Sequence, residues 1–288
     1  MGFCFHGVGI GEITSGHARM SGSQFFTRLI GRSAEGREIV ARTNFDPATP
    51  PANLTLLIGG QHGDEPATVR LLEEFCGMFR GTEPVAIVAP ANPDGLVARS
   101  RYNARGVDLN RNCGFNWHAE SEEPPGSAPW SEPESCVLRD FIVAQRPAKI
   151  VSLHWALAEL DADGQQSTAL AQAVWSVLTE EQRAPYRLRV TELGRGQRRL
   201  EETYSLCPGS LGQWCGYGLQ YPDGSQPAMI TLELPHDPLA TSRPEVLDDV
   251  HLPFVHAWWA RDAEGYLRAA RPAVRAMLLA ACRFPSSS

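Results

Sequence analysis

The 288-residue chain is 43% hydrophobic and 20% charged, the composition of an ordinary water-soluble protein with enough apolar material for a large core. Its formal net charge of -7 argues against general binding to nucleic acid or to an anionic membrane, although the charge inside one cleft can oppose the total. The seven cysteines are scattered, odd in number and without a CxxC pair, so they read as reduced thiols and not as metal ligands or a disulfide framework.

In chain order, the first twenty residues carry no basic stretch followed by a sustained apolar one, and no later run is long enough to span a bilayer. A cytoplasmic protein is the expectation. Residues Gly31 to Ile39 (GRSAEGREI) form a polar turn leading into Ile39, Val40 and Ala41, and Asp46 to Ala52 is a proline-rich loop. From Leu54 the run Leu54, Leu56, Leu57, Ile58 stops at a glycine pair, the mark of a short buried strand. Pro66 suits the first turn of a helix, which Leu71, Leu72, Phe75, Cys76 and Phe79 continue at helical spacing. His62 and Glu65 therefore fall at the carboxyl end of a strand, where open α/β sheets place their chemistry. An imidazole and a carboxylate three residues apart can meet at one point, and Zn2+ accepts that mixture, but as an isolated pair they need partners elsewhere.

A second strand, Val85 to Ala89, ends in the dense turn signal Pro90 to Gly95. Residues 99–112 then place Arg99, Arg101, Arg105 and Arg111 among asparagines and glycine in an acidic protein. Glu120 to Pro133 reads as a surface loop and Pro133 to Ala144 as a helix. Ile150 to Leu153 is a third strand running into His154, a second metal-type ligand at a strand end. Gln166 to Gln182 has the pattern of one amphipathic helix, and residues 190–203 are charged and without pattern. Cys207 to Gly224, with five glycines and several aromatics, suits a mobile wall over a pocket. Ile230 to Leu234 is a fourth strand with Glu233 embedded in it, and the chain from Glu245 onward is helical, interrupted near Pro272. Strands alternating with helices imply an α/β fold of three layers, a mostly parallel mixed sheet with helices on both faces, with residues 1–288 as one catalytic domain.

Five stretches together carry a resemblance: HGDE (His62 to Glu65), NPDG (Asn92 to Gly95), RYNARGVDLNRN (Arg101 to Asn112), SLH (Ser152 to His154) and TLEL (Thr231 to Leu234). In this order they resemble the zinc carboxypeptidase superfamily. GRSAEGREI, SEPE (Ser131 to Glu134), HWALAELDADG (His154 to Gly164) and PGSLGQW (Pro208 to Trp214) resemble more narrowly its bacterial murein peptide amidase branch. Enzymes of that branch are cytoplasmic and cut the amide between γ-D-glutamate and meso-diaminopimelate.

The resemblance implies one Zn2+ per chain held by His62, Glu65 and His154, with a fourth position left for water. It implies Glu233 as general base, losing hydration between Leu232 and Leu234, and Arg101 as the charge that stabilises the tetrahedral oxyanion, with Arg99 and Arg105 as rivals by proximity. Asn110 and Arg111 match the pair that grips a substrate's terminal carboxylate, for which a guanidinium has the right geometry. Asp108 reads as the acceptor that orients one ligating histidine, and Asp161 and Asp163 as either a solvated turn or a partner for a diaminopimelate-like ammonium. His118, His236, His251 and His256 have no motif around them. Two departures stand out: Leu211 falls near the place of the digestive enzymes' mobile tyrosine, with Tyr204, Tyr217 or Tyr221 as substitutes, and Trp155 replaces a small residue, which is expected to reshape the pocket. The implied activity is release of a C-terminal residue from a small, murein-type peptide. The alternatives are an aspartoacylase-like deacylase of acyl amino acids, a trimming enzyme for a biosynthetic or carrier-bound peptide, and a zinc- or peptide-binding module without catalysis.

Overall fold

A computed structural model describes residues 25–164, 166–190, 207–241 and 252–285. Its seven strands are β1 (Phe26–Arg32), β2 (Glu38–Thr43), β3 (Thr55–Ile58), β4 (Val85–Val88), β5 (Lys149–Asp163), β6 (Arg187–Val190) and β7 (Ala228–Pro235). They form one sheet in the order β1-β2-β4-β3-β5-β6, with β7 paired to β5. β3 and β4 are buried at every position, as the unbroken apolar runs TLLI and VAIV require of strands covered on both faces. They pair in parallel, and β3 pairs in parallel with the start of β5, whereas β1 and β2 add an antiparallel hairpin at the edge.

The strand read from sequence as Ile150 to Leu153 is fifteen residues long and doubles back. β7 runs alongside β5 from Lys149 opposite Ala228 to Ala156 opposite Pro235, and then the register reverses, from Glu159 opposite Glu233 to Asp163 opposite Met229. β5 therefore flanks β7 on both sides, its second arm antiparallel to β7 and parallel to β6, with Glu159 opposite Arg187. The turn between the arms passes through Ala158, which has a φ of 55°. Glu233 consequently lies between His154 on one arm and Glu159 on the other.

The helices are α1 (Pro66–Met78), α2 (Pro93–Ala98), α3 (Pro133–Gln145), α4 (Ser167–Ser176), α5 (Glu180–Arg183) and a C-terminal helix, Leu252–Arg283. On one face α1, α4 and the C-terminal helix bury Leu72, Phe75, Leu170, Val174, Leu267 and Leu278 against Leu57, Leu153 and Leu232. On the other, α3 and the segment around Leu211 pack Phe141, Ile142, Leu211 and Trp214 against Leu56, Ile58 and Ile150. Each such fully buried side chain contributes about 1.5–3 kcal/mol, so both helical layers are held by apolar burial. At the far end of β5 the Lys149 ammonium donates to the carbonyls of Cys282 (3.2 Å) and Phe284 (2.6 Å), tying the end of the C-terminal helix to the sheet. Among the described residues no helix is long and apolar enough to cross a membrane.

Two helix expectations are corrected. The single helix over Gln166 to Gln182 is two, because Thr179 starts α5 with a reciprocal cap: its hydroxyl accepts from Gln182 N at 3.2 Å and Gln182 Oε1 from Thr179 N at 3.0 Å. The C-terminal helix runs through Pro272 and instead breaks its helical geometry at Asp262, whose carboxylate accepts from Gly265 N at 2.8 Å and restarts it. The expected start near Glu245 and the patternless stretch beyond residue 190 lie outside the described residues.

Candidate active site

The site sits at the carboxyl ends of β3, β5 and β7. After β3 the loop from Gly59 to Glu65 passes close to the start of α2: a Cβ on Gly63 would lie 1.8 Å from the Gly95 carbonyl carbon, so the glycines of HGDE and NPDG exist to let two backbones touch. Asn92 caps α2 by accepting from Gly95 N at 2.8 Å and donates to Gln61 O at 3.2 Å, which fixes the loop from below. Asp94 binds the Ser33 hydroxyl (2.7 Å), Glu35 N (2.9 Å) and Arg37 (2.7 Å), so the GRSAEGREI motif is the clamp on that turn. Asn103 donates to Glu132 (2.7 Å) and Glu134 (3.1 Å), giving SEPE the same supporting part for the arginine loop.

On this scaffold three buried side chains converge. His62 Nδ1 is 2.7 Å from Glu65 Oε1, His154 Nδ1 is 3.2 Å from Glu65 Oε2, and the two Nδ1 atoms are 3.3 Å apart. Taking one ligand atom from each residue, the three lie within 4.8 Å of one another. His62 Nε2 faces Asp108 Oδ1 at 3.1 Å, so Nε2 donates to that carboxylate and Nδ1 is the nitrogen turned into the cluster. Glu65 Oε2 is buried without a hydrogen-bond partner. Two imidazole nitrogens and an orphaned carboxylate oxygen aimed at one point form a donor set that suits a divalent cation such as zinc. Burial depresses the His62 pKa, but Glu65 and Asp108 outweigh it and push it up to about 9. Burial raises the Glu65 carboxyl, and the two histidines outweigh it, holding it down to about 2. The buried histidines and Glu65 thus stabilise one another's charged forms.

Glu233, opposite His154 in the sheet, is partly buried and accepts weakly from Leu157 N at 3.4 Å. Burial, opposed by the His154 charge and aided by Glu65, pushes its carboxyl up to about 7. Leu232 and Leu234, the apolar neighbours from which a loss of hydration is expected, point into the core on the other face of β7, so the burial of Glu233 comes from the arms of β5 on either side of it. Asp108 is fully buried, with Oδ2 bound by Arg101 at 2.8 Å and 3.0 Å and Oδ1 accepting from Asn110 N at 2.8 Å. Burial would raise its pKa, yet His62, Arg101 and Arg111 hold it well below the usual carboxylate range.

Of the arginines, Arg101 reaches the cluster, its Nη1 3.4 Å from His62 Nδ1. Arg99 is exposed at the end of α2, and Arg105 pairs with Glu132 at 3.7 Å, so neither rival faces the site. Glu123, which sequence reasoning missed, lies 3.8 Å from Arg101 and accepts from the Tyr102 hydroxyl at 2.7 Å. Asn110 Oδ1 accepts from Leu211 N at 2.9 Å, joining the arginine loop to the PGSLGQW segment. Arg111 makes no ion pair among the described residues; its Nη1 donates to Asn110 O at 2.8 Å.

Around the pocket one expectation fails and two are narrowed. Trp155 points away from His154, as strand alternation demands, and packs in the core against Trp259 and Tyr266. Leu211 is buried in the opposite core, Tyr221 donates to Pro147 O at 3.0 Å at the far end of β5, and Tyr217 stacks on Phe115. Tyr204 lies outside the described residues. The glycine-rich wall is in part packed structure, with Leu211, Trp214, Cys215 and Leu219 buried around a π-helical turn at Trp214–Gly218. Also missed was the returning arm of β5, where Glu159 binds Arg187 and, at 3.0 Å, Arg189. The signal was present as alternation in Glu159, Leu160, Asp161, Ala162, Asp163.

Comparison with known proteins agrees with this geometry. The zinc carboxypeptidase family matches residues 18–156. Murein peptide amidase A of Escherichia coli K12 is 33% identical over 210 residues, spanning 66% of this chain and 76% of that protein. The crystal structure of the murein-tripeptide amidase from Escherichia coli O157 is similar with a TM-score of 0.55 at 26% identity, covering 86% of this chain and 91% of that one. Carboxypeptidase A from Helicoverpa armigera shares the fold, with a TM-score of 0.60 at 21% identity over 91% of this chain and 70% of that one.

Proposed function

The chain belongs to the zinc carboxypeptidase family and is a hydrolase of that family, and on that premise we propose that it releases a C-terminal residue bearing a free carboxylate from a small murein-type peptide, at the amide between γ-D-glutamate and meso-diaminopimelate. The observation that carries the reading is the common mouth of four elements: His62, Glu65 and His154 meeting at one point, Glu233 opposite His154 on the adjacent strand, and Arg111 on the arginine loop, without an ionic partner among the described residues. His62, Glu65 and His154 are the residues that would hold one zinc per chain, and a zinc bound there would polarise the scissile carbonyl and lower the pKa of a water toward about 7.

The remaining chemistry belongs to side chains. Arg111, with Asn110 beside it, binds the substrate carboxylate through paired N–H groups and so fixes which amide meets the cluster. Glu233 removes a proton from the attacking water and returns it to the departing amine, a task for which a desolvated carboxylate opposite His154 is placed. Arg101 stands beside His62, where its charge meets the oxyanion as it develops, and Asp108 keeps Arg101 and His62 in place. The similarity to murein peptide amidase A supports the peptide class, and free thiols among the described cysteines agree with a cytoplasmic setting.

The test is a panel on the zinc-loaded protein: γ-D-glutamyl-meso-diaminopimelate, the same peptide with its terminal carboxylate amidated, and an N-acyl amino acid. Cleavage of the first alone is expected. Equal rates on the amidated peptide would remove the carboxylate anchor, and turnover of the acyl amino acid alone would replace the reading with a deacylase.

A further inference from the structure

Asp108 alone does not fix the orientation of the Arg101 guanidinium. Its Nε and Nη2 both bind one oxygen, Asp108 Oδ2, at 3.0 Å and 2.8 Å, while Nη1 is turned toward the cluster, 3.4 Å from His62 Nδ1. Two N–H groups converging on a single oxygen make a pivot, whereas two parallel bonds to separate oxygens lock a guanidinium in place. Asp108 Oδ1 is not that second oxygen, because it is taken by His62 Nε2 and Asn110 N. Among the described residues the other ion-pair partner of Arg101 is Glu123, whose Oε1 lies 3.8 Å from Nε.

Glu123 is itself held in place. Its Oε2 accepts from the hydroxyl of Tyr102, the residue next to Arg101, at 2.7 Å. The backbone that follows it is bonded to the arginine loop: Asp108 N donates to Pro124 O at 2.9 Å, and Asn112 Nδ2 (2.8 Å) and Trp117 Nε1 (3.0 Å) donate to Pro125 O. The stretch that reads in sequence as a surface loop is therefore fastened at this point to the same Asp108 that carries the guanidinium. The Arg101 and Glu123 side chains are 19% and 29% exposed, so solvent screens their attraction less than it screens that of a fully exposed pair.

We propose that Glu123 and Tyr102 are positioning residues for the hydrolytic step: Tyr102 steadies the Glu123 carboxylate, and Glu123 sets the angle of the Arg101 guanidinium about Asp108 Oδ2 so that Nη1 faces the reacting carbonyl oxygen. The inference rests on the role given to Arg101 above. Glu123 acts on the cluster through Arg101, so its effect falls where charge develops on that oxygen and not on ground-state binding or on the cation ligands. An ordinary surface ion pair in the same place would add little to stability and nothing to turnover.

A double-mutant cycle on the zinc-loaded protein decides the matter, with steady-state cleavage of γ-D-glutamyl-meso-diaminopimelate and chelator competition for zinc as readouts. Glu123→Gln should lower kcat about 10-fold, a fraction of what deleting an oxyanion donor costs, with KM within about twofold of wild type and zinc affinity unchanged. Tyr102→Phe, which leaves the carboxylate in place but unsteadied, should lower kcat in the same way by about threefold. In an Arg101→Ala background Glu123→Gln should have no further effect, because the group it positions is gone. A kcat unchanged in Glu123→Gln would overturn the inference. So would a loss of equal size with and without Arg101, which marks a merely structural role, or a loss confined to KM, which marks a substrate contact. Each of those results leaves the peptidase reading intact, whereas a wild-type protein that leaves the peptide uncut would bring down both.

Discussion

Asp108→Asn is the substitution whose effects are most widely coupled. The carboxylate touches three functional groups at once: His62 Nε2 at 3.1 Å, Arg101 at 2.8 Å and 3.0 Å, and the backbone of Asn110 at 2.8 Å. An amide can still accept from His62 and Asn110 on one side, but on the other it turns a donor toward the Arg101 donors and leaves that cation with Glu123 at 3.8 Å. Unpairing one member of a buried charge network costs 3–5 kcal/mol, and the partial compensation from Glu123 puts this case near the low end, about 3 kcal/mol. For a chain of this size that lowers the melting temperature by roughly 6 °C. Because the folded-state pKa of Asp108 is depressed, its contribution is complete above the ordinary carboxylate range and is lost only as pH falls through the lower folded value; the difference between the two proteins should therefore be at its full size at neutral pH. Loosening the acceptor that fixes a metal-binding histidine costs about 10- to 100-fold in metal affinity. Competition against a chromophoric chelator measures the second effect and calorimetry of the metal-free protein the first. A variant that binds zinc within about threefold of wild type would refute the assignment of His62 as a ligand oriented by Asp108.

Other substitutions probe separate parts of the site. Glu233→Gln should retain zinc and lose turnover by several orders of magnitude; the wild-type kcat/KM should fall as pH drops and the base takes up a proton, with the acid limb between 4.5 and about 7 since zinc can only lower the value, and unchanged turnover in the variant would remove Glu233 from the mechanism. Arg111→Ala should raise KM far more than it lowers kcat and should abolish the difference between carboxylate and amidated substrates, as steady-state kinetics on both would reveal. At the opposite end of the sheet, burial lowers the Lys149 pKa from 10.5 to about 8. The folded protein then releases a proton before the unfolded chain does, so stability should rise between those two pH values; thermal melts should show that rise in the wild type and not in Lys149→Met.

The parts of this molecule that were legible in the sequence are those where one residue type does one job. The apolar runs of β3 and β4, the proline starts of α1 and α3, and the order of His62, Glu65, His154 and Glu233 could be read because strand ends and metal donors leave local marks. Arg101 could be separated from Arg99 and Arg105 only in three dimensions, since all three share a loop and only their partners differ. Trp155 was misjudged because adjacency to a ligand in sequence means the opposite face in a strand. The returning arm of β5 was missed because its turn carries no glycine or proline, and its alternating acids look like a solvated loop until β7 is seen between the two arms.

That insertion also ties the cation site and the acid to different parts of the chain. Every residue of the histidine cluster precedes position 155, and both arms of β5 precede Ala228 in the chain, so the strand that fills the slot comes after both of its walls in the sequence. A chain ending short of β7 carries the whole cation site yet lacks the acid that would use it, and exposes two unsatisfied strand edges facing each other across a gap. Hydrolytic competence and closure of the sheet therefore depend on the same strand, β7, which supplies the acid and fills the gap between the two arms.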